Sequence, residues 1–219
     1  MDKMRLKFTK TGRAVYISHL DLMRTLSRAF MRAGLDLKYS EGFNPHPQIS
    51  IALPLSVGTE SVCELLDFRL TNDKSPDDVL TALRKQLPEG IEPVEVYGAE
   101  RKVKDIRWLG VCGVFEYDDR DPVLMAERLT EFFSRESIVI SKKTKRGVAD
   151  SDLAPFVREL YFSPQKGAVA LMCKVSAQEP TVNPELLADA LRQLEPSVAP
   201  DFAAFRRLAL YDGDMVEFR

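Results

Sequence analysis

The sequence predicts an α+β protein made of two tandem ferredoxin-like domains, each a split βαβ unit with an antiparallel sheet and its helices on one face. Three observations predict it. Four helix starts are marked by capping residues, two in each half. Short alternating stretches fill the gaps between them. The order strand, helix, strands, helix, strand runs once through 1–104 and again through 105–219.

The first strand is expected near Arg5–Thr9 and the next near Val15–Ile17, both from alternation. Ser18-His19-Leu20-Asp21 is a capping box, in which serine and the acid three residues later satisfy the first free N–H groups. It opens a helix that Gly34 ends. Strands near Leu37–Tyr39, Gln48–Leu53 and Cys63–Leu70 follow. Ser75-Pro76-Asp77-Asp78 caps a second helix, with Val79, Leu83 and Leu87 at helical spacing. Glu92–Gly98 completes the first half, and the charged stretch Arg101–Arg107 reads as a linker into Trp108. The second half repeats the scheme. Strands are expected near Val111–Tyr117, Ile138–Lys142, Ala168–Val175 and Phe202–Leu210. Helices open at Asp121-Pro122 and Asn183-Pro184, and Asp212-Gly213 turns the chain toward Met215–Phe218.

Composition excludes a good deal of chemistry. Thirty-one basic and 33 acidic side chains leave a net charge of −2, and 45% of residues are hydrophobic, as in ordinary globular chains. No apolar run approaches the roughly 18 residues that cross a bilayer. The first residues lack an apolar targeting core, so a soluble cytoplasmic protein without membrane association is expected. Cys63, Cys112 and Cys173 stand 49 (112 − 63) and 61 (173 − 112) residues apart, and only His19 and His46 are histidine. This spacing fits neither a zinc clip nor an iron–sulfur motif, and the three read as reduced, packed thiols. Phosphate-loop, dinucleotide and nucleophile-elbow motifs are absent. No cofactor and no metal site are expected in this chain.

The net charge conceals an asymmetry. Residues 1–48 hold nine Lys and Arg against four Asp and Glu, about +5, whereas 60–100 hold four against ten, about −6. Within the basic third, Arg24, Arg28 and Arg32 recur every four residues on the helix face opposite Leu22, Leu26 and Phe30. Arginine suits bidentate phosphate contacts. Asp21 pairs with Arg24 at helical spacing. His19 occupies the first helical position, where the other three helices have proline, and the positive helix end there favours a neutral imidazole. Tyr39-Ser-Glu-Gly-Phe-Asn-Pro-His-Pro47 forms a stiff loop, since Pro45 and Pro47 hold His46 extended between them. Tyr39 and Phe43 are placed to stack on bases, and Asn44 and His46 to read polar edges. Lys143, Lys145 and Arg146 form a basic turn in the second half that could touch phosphates.

Read together, Ser18–Arg24, Tyr39–Pro47 and Ala52-Leu-Pro-Leu-Ser-Val-Gly58 resemble the radical-SAM-linked domain family of unknown function. That bacterial family is fused to, or encoded beside, cobalamin-binding radical SAM proteins. The resemblance implies a separate radical SAM enzyme as partner and RNA as the molecule handled. A weaker similarity is to RAMP-type CRISPR repeat-processing endoribonucleases, with two ferredoxin-like domains and a metal-independent histidine. The last fifty residues hold only Gly213, and so lack that family's glycine-rich terminal loop.

Three functions are therefore expected, in this order. The first is a non-catalytic RNA-binding accessory module for a radical SAM enzyme, acting in RNA modification or processing through Arg24, Arg28, Arg32, Tyr39, Phe43, Asn44, His46, Lys143, Lys145 and Arg146. The second is a metal-independent endoribonuclease using His19 or His46 as general base. The third is a protein-interaction domain with no RNA role.

Overall fold

The computed structural model describes residues 3–144 and 147–219, without the side chains of 143 and 144. The protein is α+β, with four α-helices among the described residues. It forms two compact units, Met1–Asp105 together with Arg219, and Ile106–Phe218.

In the first unit, β1 (Met4–Lys10) leads through a 3-10 turn (Gly12–Tyr16) into α1 (His19–Arg32). Then come β2 (Ile49–Ala52), β3 (Glu60–Phe68), α2 (Pro76–Arg84) and β4 (Pro93–Gly98). These strands lie in the order β4-β1-β3-β2, and each neighbouring pair is antiparallel. Thus α1 links two strands that have β3 between them, and α2 links two that have β1 between them.

Local chemistry starts both helices. Ser18 Oγ accepts from the Asp21 N–H at 3.2 Å and donates to the Asp21 carboxylate at 2.7 Å. Ser75 repeats this with Asp78, at 3.1 and 2.7 Å. Leu22, Leu26, Ala29 and Phe30 of α1 join Val79 and Leu83 of α2 over Leu6, Phe8, Leu66 and Phe68 of the sheet. Each such large apolar side chain contributes about 1.5–3 kcal/mol by leaving water. The Phe30 and Phe68 rings meet edge to face, 4.9 Å between centroids. Strand alternation turns Arg5 and Asp67, which are opposite each other in the register, to the other face of the sheet.

Two expected strands are not strands. Val15 lies in the 3-10 turn, where the Lys10 ammonium donates to its carbonyl at 3.1 Å and Ile17 N–H bonds back to Ala14. Around Leu37–Tyr39 there are only single bridges, Leu37 to Leu70 and Tyr39 to Pro47. Gly90, at φ +83°, packs on the same 3-10 turn: a Cβ there would lie 2.4 Å from the Thr11 carbonyl oxygen and 2.9 Å from the Ala14 methyl. The Thr11 N–H donates to the Gly90 carbonyl at 2.8 Å. The expected linker holds a 3-10 turn, Val103–Asp105.

In the second unit, β5 (Trp108–Glu116) and α3 (Pro122–Phe133) precede a hairpin, β6 (Val139–Thr144) and β7 (Gly147–Asp152). There follow β8 (Val157–Gln165), β9 (Ala168–Ser176), α4 (Glu185–Leu194) and β10 (Phe202–Tyr211). The strand order is β10-β5-β9-β8, again antiparallel at each pair, and β6-β7 is a sheet of its own. Asp121 Oδ1 caps α3 through the Val123 N–H at 3.1 Å, and Asn183 Oδ1 accepts from the Glu185 N–H at 3.3 Å. Gln193 of α4 clasps the hairpin, accepting from the Ser141 N–H at 2.9 Å and donating to its carbonyl at 3.1 Å.

The sequence shows neither β7 nor β8 plainly. β8 is bulged, with the register shifting between Arg158 and Tyr161 and Glu159 at φ +49°, so its alternation breaks midway. Trp108 is buried beneath the Arg158 guanidinium, 4.2 Å from its ring centre. Met215–Phe218 makes only one bridge, Tyr211 to Glu217, because Asp212 Oδ1 takes the Asp214 and Val216 N–H groups into a turn.

Candidate anion-binding cleft

The segment between α1 and β2 folds back on itself. Lys38 N–H donates to the Arg69 carbonyl at 2.8 Å, and Gln48 N–H donates to the Lys38 carbonyl at 2.7 Å. Above this, Ser40 and His46 close a small hairpin. Ser40 N–H donates to the His46 carbonyl at 2.9 Å, and His46 N–H donates to Ser40 Oγ at 3.1 Å. Ser40 Oγ is also 2.9 Å from His46 Nδ1. Nδ1 also lies 3.4 Å from the Asn44 carbonyl oxygen, so a hydrogen on Nδ1 has two acceptors within reach, the Ser40 oxygen and that carbonyl. Nε2 has no hydrogen-bond partner among the described residues. The tip is Glu41–Pro45. Gly42 takes φ +119°, a conformation open to glycine, and Phe43 is fully exposed.

His46 edges a cleft of about 360 Å³ whose other polar lining is Lys3, Gln48, Ser50, Asp67 and Arg69. The cleft follows from strand alternation. Ser50 is opposite Asp67 in the β2–β3 register, and Asp67 is opposite Arg5 in the β1–β3 register, so all three project from the face that carries no helix. Arg5 grips Asp67 with two hydrogen bonds, 2.6 and 3.1 Å, and Lys3 reaches the same carboxylate at 2.5 Å. Arg5 and Asp67 are 0% and 3% exposed. Burial would raise the Asp67 carboxyl, but the hydrogen bonds and charges of Arg5 and Lys3 outweigh it and hold the pKa below the ordinary carboxylate value. Lys3 and Arg69 line the cleft, and Arg5 lies beside Asp67 beneath it.

The structure groups some of the sequence-derived candidates and separates others. Tyr39, Phe43, Asn44 and His46 share the hairpin. Arg24, Arg28 and Arg32 do not line the cleft. Arg24 bonds Asp21 at 3.1 Å, and Arg32 donates to the Gln86 carbonyl at 2.7 Å just past α2, while Arg28 is exposed. His19 is exposed in the first turn of α1, with the whole 14-residue helix between it and the hairpin segment. Lys145, Arg146 and the side chain of Lys143 lie outside the described residues. Lys3, Ser50, Asp67 and Arg69 were not singled out from the sequence. One signal was available: Asp67 is a lone carboxylate inside the apolar run Leu65–Phe68.

Among the described residues no three His, Cys, Asp or Glu side chains cluster as metal ligands, and no helix is long and apolar enough to cross a membrane. The chain has a likeness to a solved chain of a Cbf5-Nop10-Gar1 complex, 11% identical over 93% of this chain and 47% of that one, with a TM-score of 0.49. It therefore spans about half the length of that chain. Two others are an unknown protein from Galdieria sulphuraria and the acetolactate synthase small subunit from Thermotoga maritima. The first is 11% identical over 94% of this chain and 98% of that one, with a TM-score of 0.27. The second is 11% identical over 97% of each chain, with a TM-score of 0.26. No curated protein matches the chain. Residues 3–184 match the family described as an uncharacterized protein conserved in bacteria, DUF2344, and the chain belongs to that family.

Proposed function

We propose that this protein is an RNA-binding module that takes single-stranded RNA on the hairpin of the first unit and presents it to a separate radical SAM enzyme. One observation carries the RNA part: a fully exposed phenylalanine sits at the tip of a hairpin pinned by its own hydrogen bonds, next to a cleft lined by Lys3 and Arg69. A base stacks on Phe43 and the adjoining backbone follows the charge, a combination that binds single strands with little sequence preference. The hairpin is ordered before binding, so little entropy is lost when RNA arrives. Asn44 and His46 supply polar edges beside the stack.

The enzyme partner rests on the resemblance of Ser18–Arg24 and Tyr39–Pro47 to the radical-SAM-linked family. The strand orders β4-β1-β3-β2 and β10-β5-β9-β8, with a helix over each crossover, support reading both units as ferredoxin-like split βαβ folds. In the second unit the β6–β7 hairpin is then an insertion between the first helix and the second strand of that pattern.

The test is RNA affinity at about 50 and 200 mM salt, where several phosphate contacts weaken binding steeply. Salt-dependent binding of a single-stranded oligomer, lowered by Phe43→Ala, is the expected result. Absence of binding, or binding indifferent to salt, overturns it. Incubation with the same RNA in EDTA tests the endoribonuclease alternative: a cut lost in His19→Ala or His46→Ala would replace the accessory role.

A further inference from the structure

We infer that the helix-free face of the second unit's sheet carries a slot for a single guanine base, beside Tyr161, Tyr211 and the Lys174–Glu159 ion pair. The inference uses no residue of the hairpin and goes beyond the RNA reading, since the base is recognised alike in a free nucleotide and in a strand.

Strand alternation builds the face. α3 packs on β8 and β9 from one side, where the Phe133 ring meets Phe162 with centroids 5.7 Å apart. Val169, Leu171, Cys173 and Val175 of β9 are buried. Tyr161 of β8 and Met172 and Lys174 of β9 therefore project from the opposite face. Tyr161 is opposite Met172 in the register, and Lys174 is opposite Gly110 of β5. Tyr161 and Met172 are 67% and 58% exposed.

Glycine makes the slot. A Cβ on Gly110 would lie 3.0 Å from the Tyr211 ring, so that ring rests over bare backbone. Beside it is a cavity of about 200 Å³ whose lining includes Gly110, Glu159, Tyr161, Met172, Lys174 and Tyr211. This is below the roughly 300–1,000 Å³ of sites that engulf a whole ligand. A base enters, and its sugar and phosphate stay outside. The two tyrosine rings and the thioether give a flat ring its contacts.

The ion pair selects the base. Lys174 donates to Glu159 Oε1 at 2.7 Å, and its ammonium lies 4.8 Å from the Tyr211 ring centre. The bulge in β8, with Glu159 at φ +49°, re-aims that carboxylate toward Lys174. The ammonium keeps two N–H donors, and the carboxylate keeps lone pairs on both oxygens. Guanine matches this set, because its O6 accepts beside the N1–H and N2–H donors of the same edge. Adenine and uracil offer one donor group on that edge and leave the carboxylate half used. Arg158 is opposite Lys174 in the register, exposed, and stacked 4.2 Å over the Trp108 ring centre. It has no carboxylate partner among the described residues, and it supplies a cation for the phosphate attached to the base.

The full chain is titrated with guanosine and adenosine 5′-monophosphates by ligand-detected NMR. It is also titrated with two single-stranded RNA oligomers, oligouridine carrying one central guanosine or one central adenosine. Guanine is expected to bind about fivefold or more tightly than adenine, as hydrogen bonds to charged groups allow. Glu159→Gln should erase that preference, because the amide puts a donor where an acceptor stood. Tyr161→Ala, at an exposed position, should weaken guanine binding about fivefold or more, with circular dichroism confirming an unchanged fold. The preference in nucleotides alone upholds the slot for a free nucleotide, and if neither oligomer binds, the RNA reading falls while the slot stands. The preference in oligomers alone upholds the slot for a base within a strand. Oligomer binding with no preference in either pair overturns the inference and leaves the RNA reading intact, and so does a preference that survives Glu159→Gln. No binding of any probe overturns both.

Discussion

Ser40 Oγ and His46 Nδ1 lie 2.9 Å apart, and the same oxygen receives the His46 backbone N–H at 3.1 Å. One hydroxyl thus sets both the width of the hairpin neck and the orientation of the imidazole. Ser40→Ala removes both interactions at an exposed site, so thermal stability should change by no more than about 1 kcal/mol. RNA affinity should fall by roughly three- to tenfold, the equivalent of about 0.6–1.4 kcal/mol, because the ring and the tip must be ordered on binding. Fluorescence anisotropy and amide exchange at residues 40–46 measure the two effects. An unchanged affinity would mean that the neck does not organise the site.

Phe43→Ala isolates stacking. The ring is wholly exposed, so folding stability should stay within about 0.5 kcal/mol of the parent. Loss of one stacked base should cost about 1–3 kcal/mol in binding. Equal losses of stability and affinity would show that the ring supports the loop instead.

Asp67→Asn tests the charged floor of the cleft. Neutralising the carboxylate leaves the Arg5 guanidinium buried without its counter-charge, a change that costs about 3–5 kcal/mol. The pH dependence has a definite sign. The folded-state pKa of Asp67 is depressed, so its contribution is complete above the unfolded carboxyl pKa of about 3.9. It is lost as pH falls through the folded value. Melting temperatures of the parent should therefore drop more steeply below pH 4 than those of the variant.

Gly90→Ala should be more damaging than Gly58→Ala. Both glycines have positive φ, +83° and +91°, so both substitutions incur about 1–2 kcal/mol of backbone strain. At Gly58 a Cβ meets nothing within 4 Å, whereas at Gly90 it meets the Thr11 carbonyl. The difference between the two, read by urea denaturation, measures that contact. Equal losses would mean that the 3-10 turn yields at no cost.

α1, α2 and α3 begin where the sequence puts a cap, because Ser18, Ser75 and Asp121 act on N–H groups two or three residues away, whereas α4 begins one residue later than the sequence suggests, at Glu185 with Pro184 as its N-cap. Such chemistry is local and can be read locally. The 3-10 turn around Val15 resembles a strand in the sequence because Ala14 and Val15 are buried for a tertiary reason, against neighbours far along the chain. β8 escapes notice because its bulge puts two residues where alternation needs one. The hairpin was legible, since Pro45, Pro47 and Gly42 dictate stiffness and a turn. Its companions were not: Lys3 and Arg69 are 66 positions apart and come together only through the pairing of β1 with β3.

The contact at Gly90 also bears on misfolding. β4 lies at the outer side of β1 and could in principle slide along it. A shift of one position would drive the side chain of Glu89 or Ile91 into a gap that admits only a hydrogen atom. Alignment of that border strand is thus policed by steric exclusion at its entrance, ahead of any preference exercised by its own short row of backbone bonds.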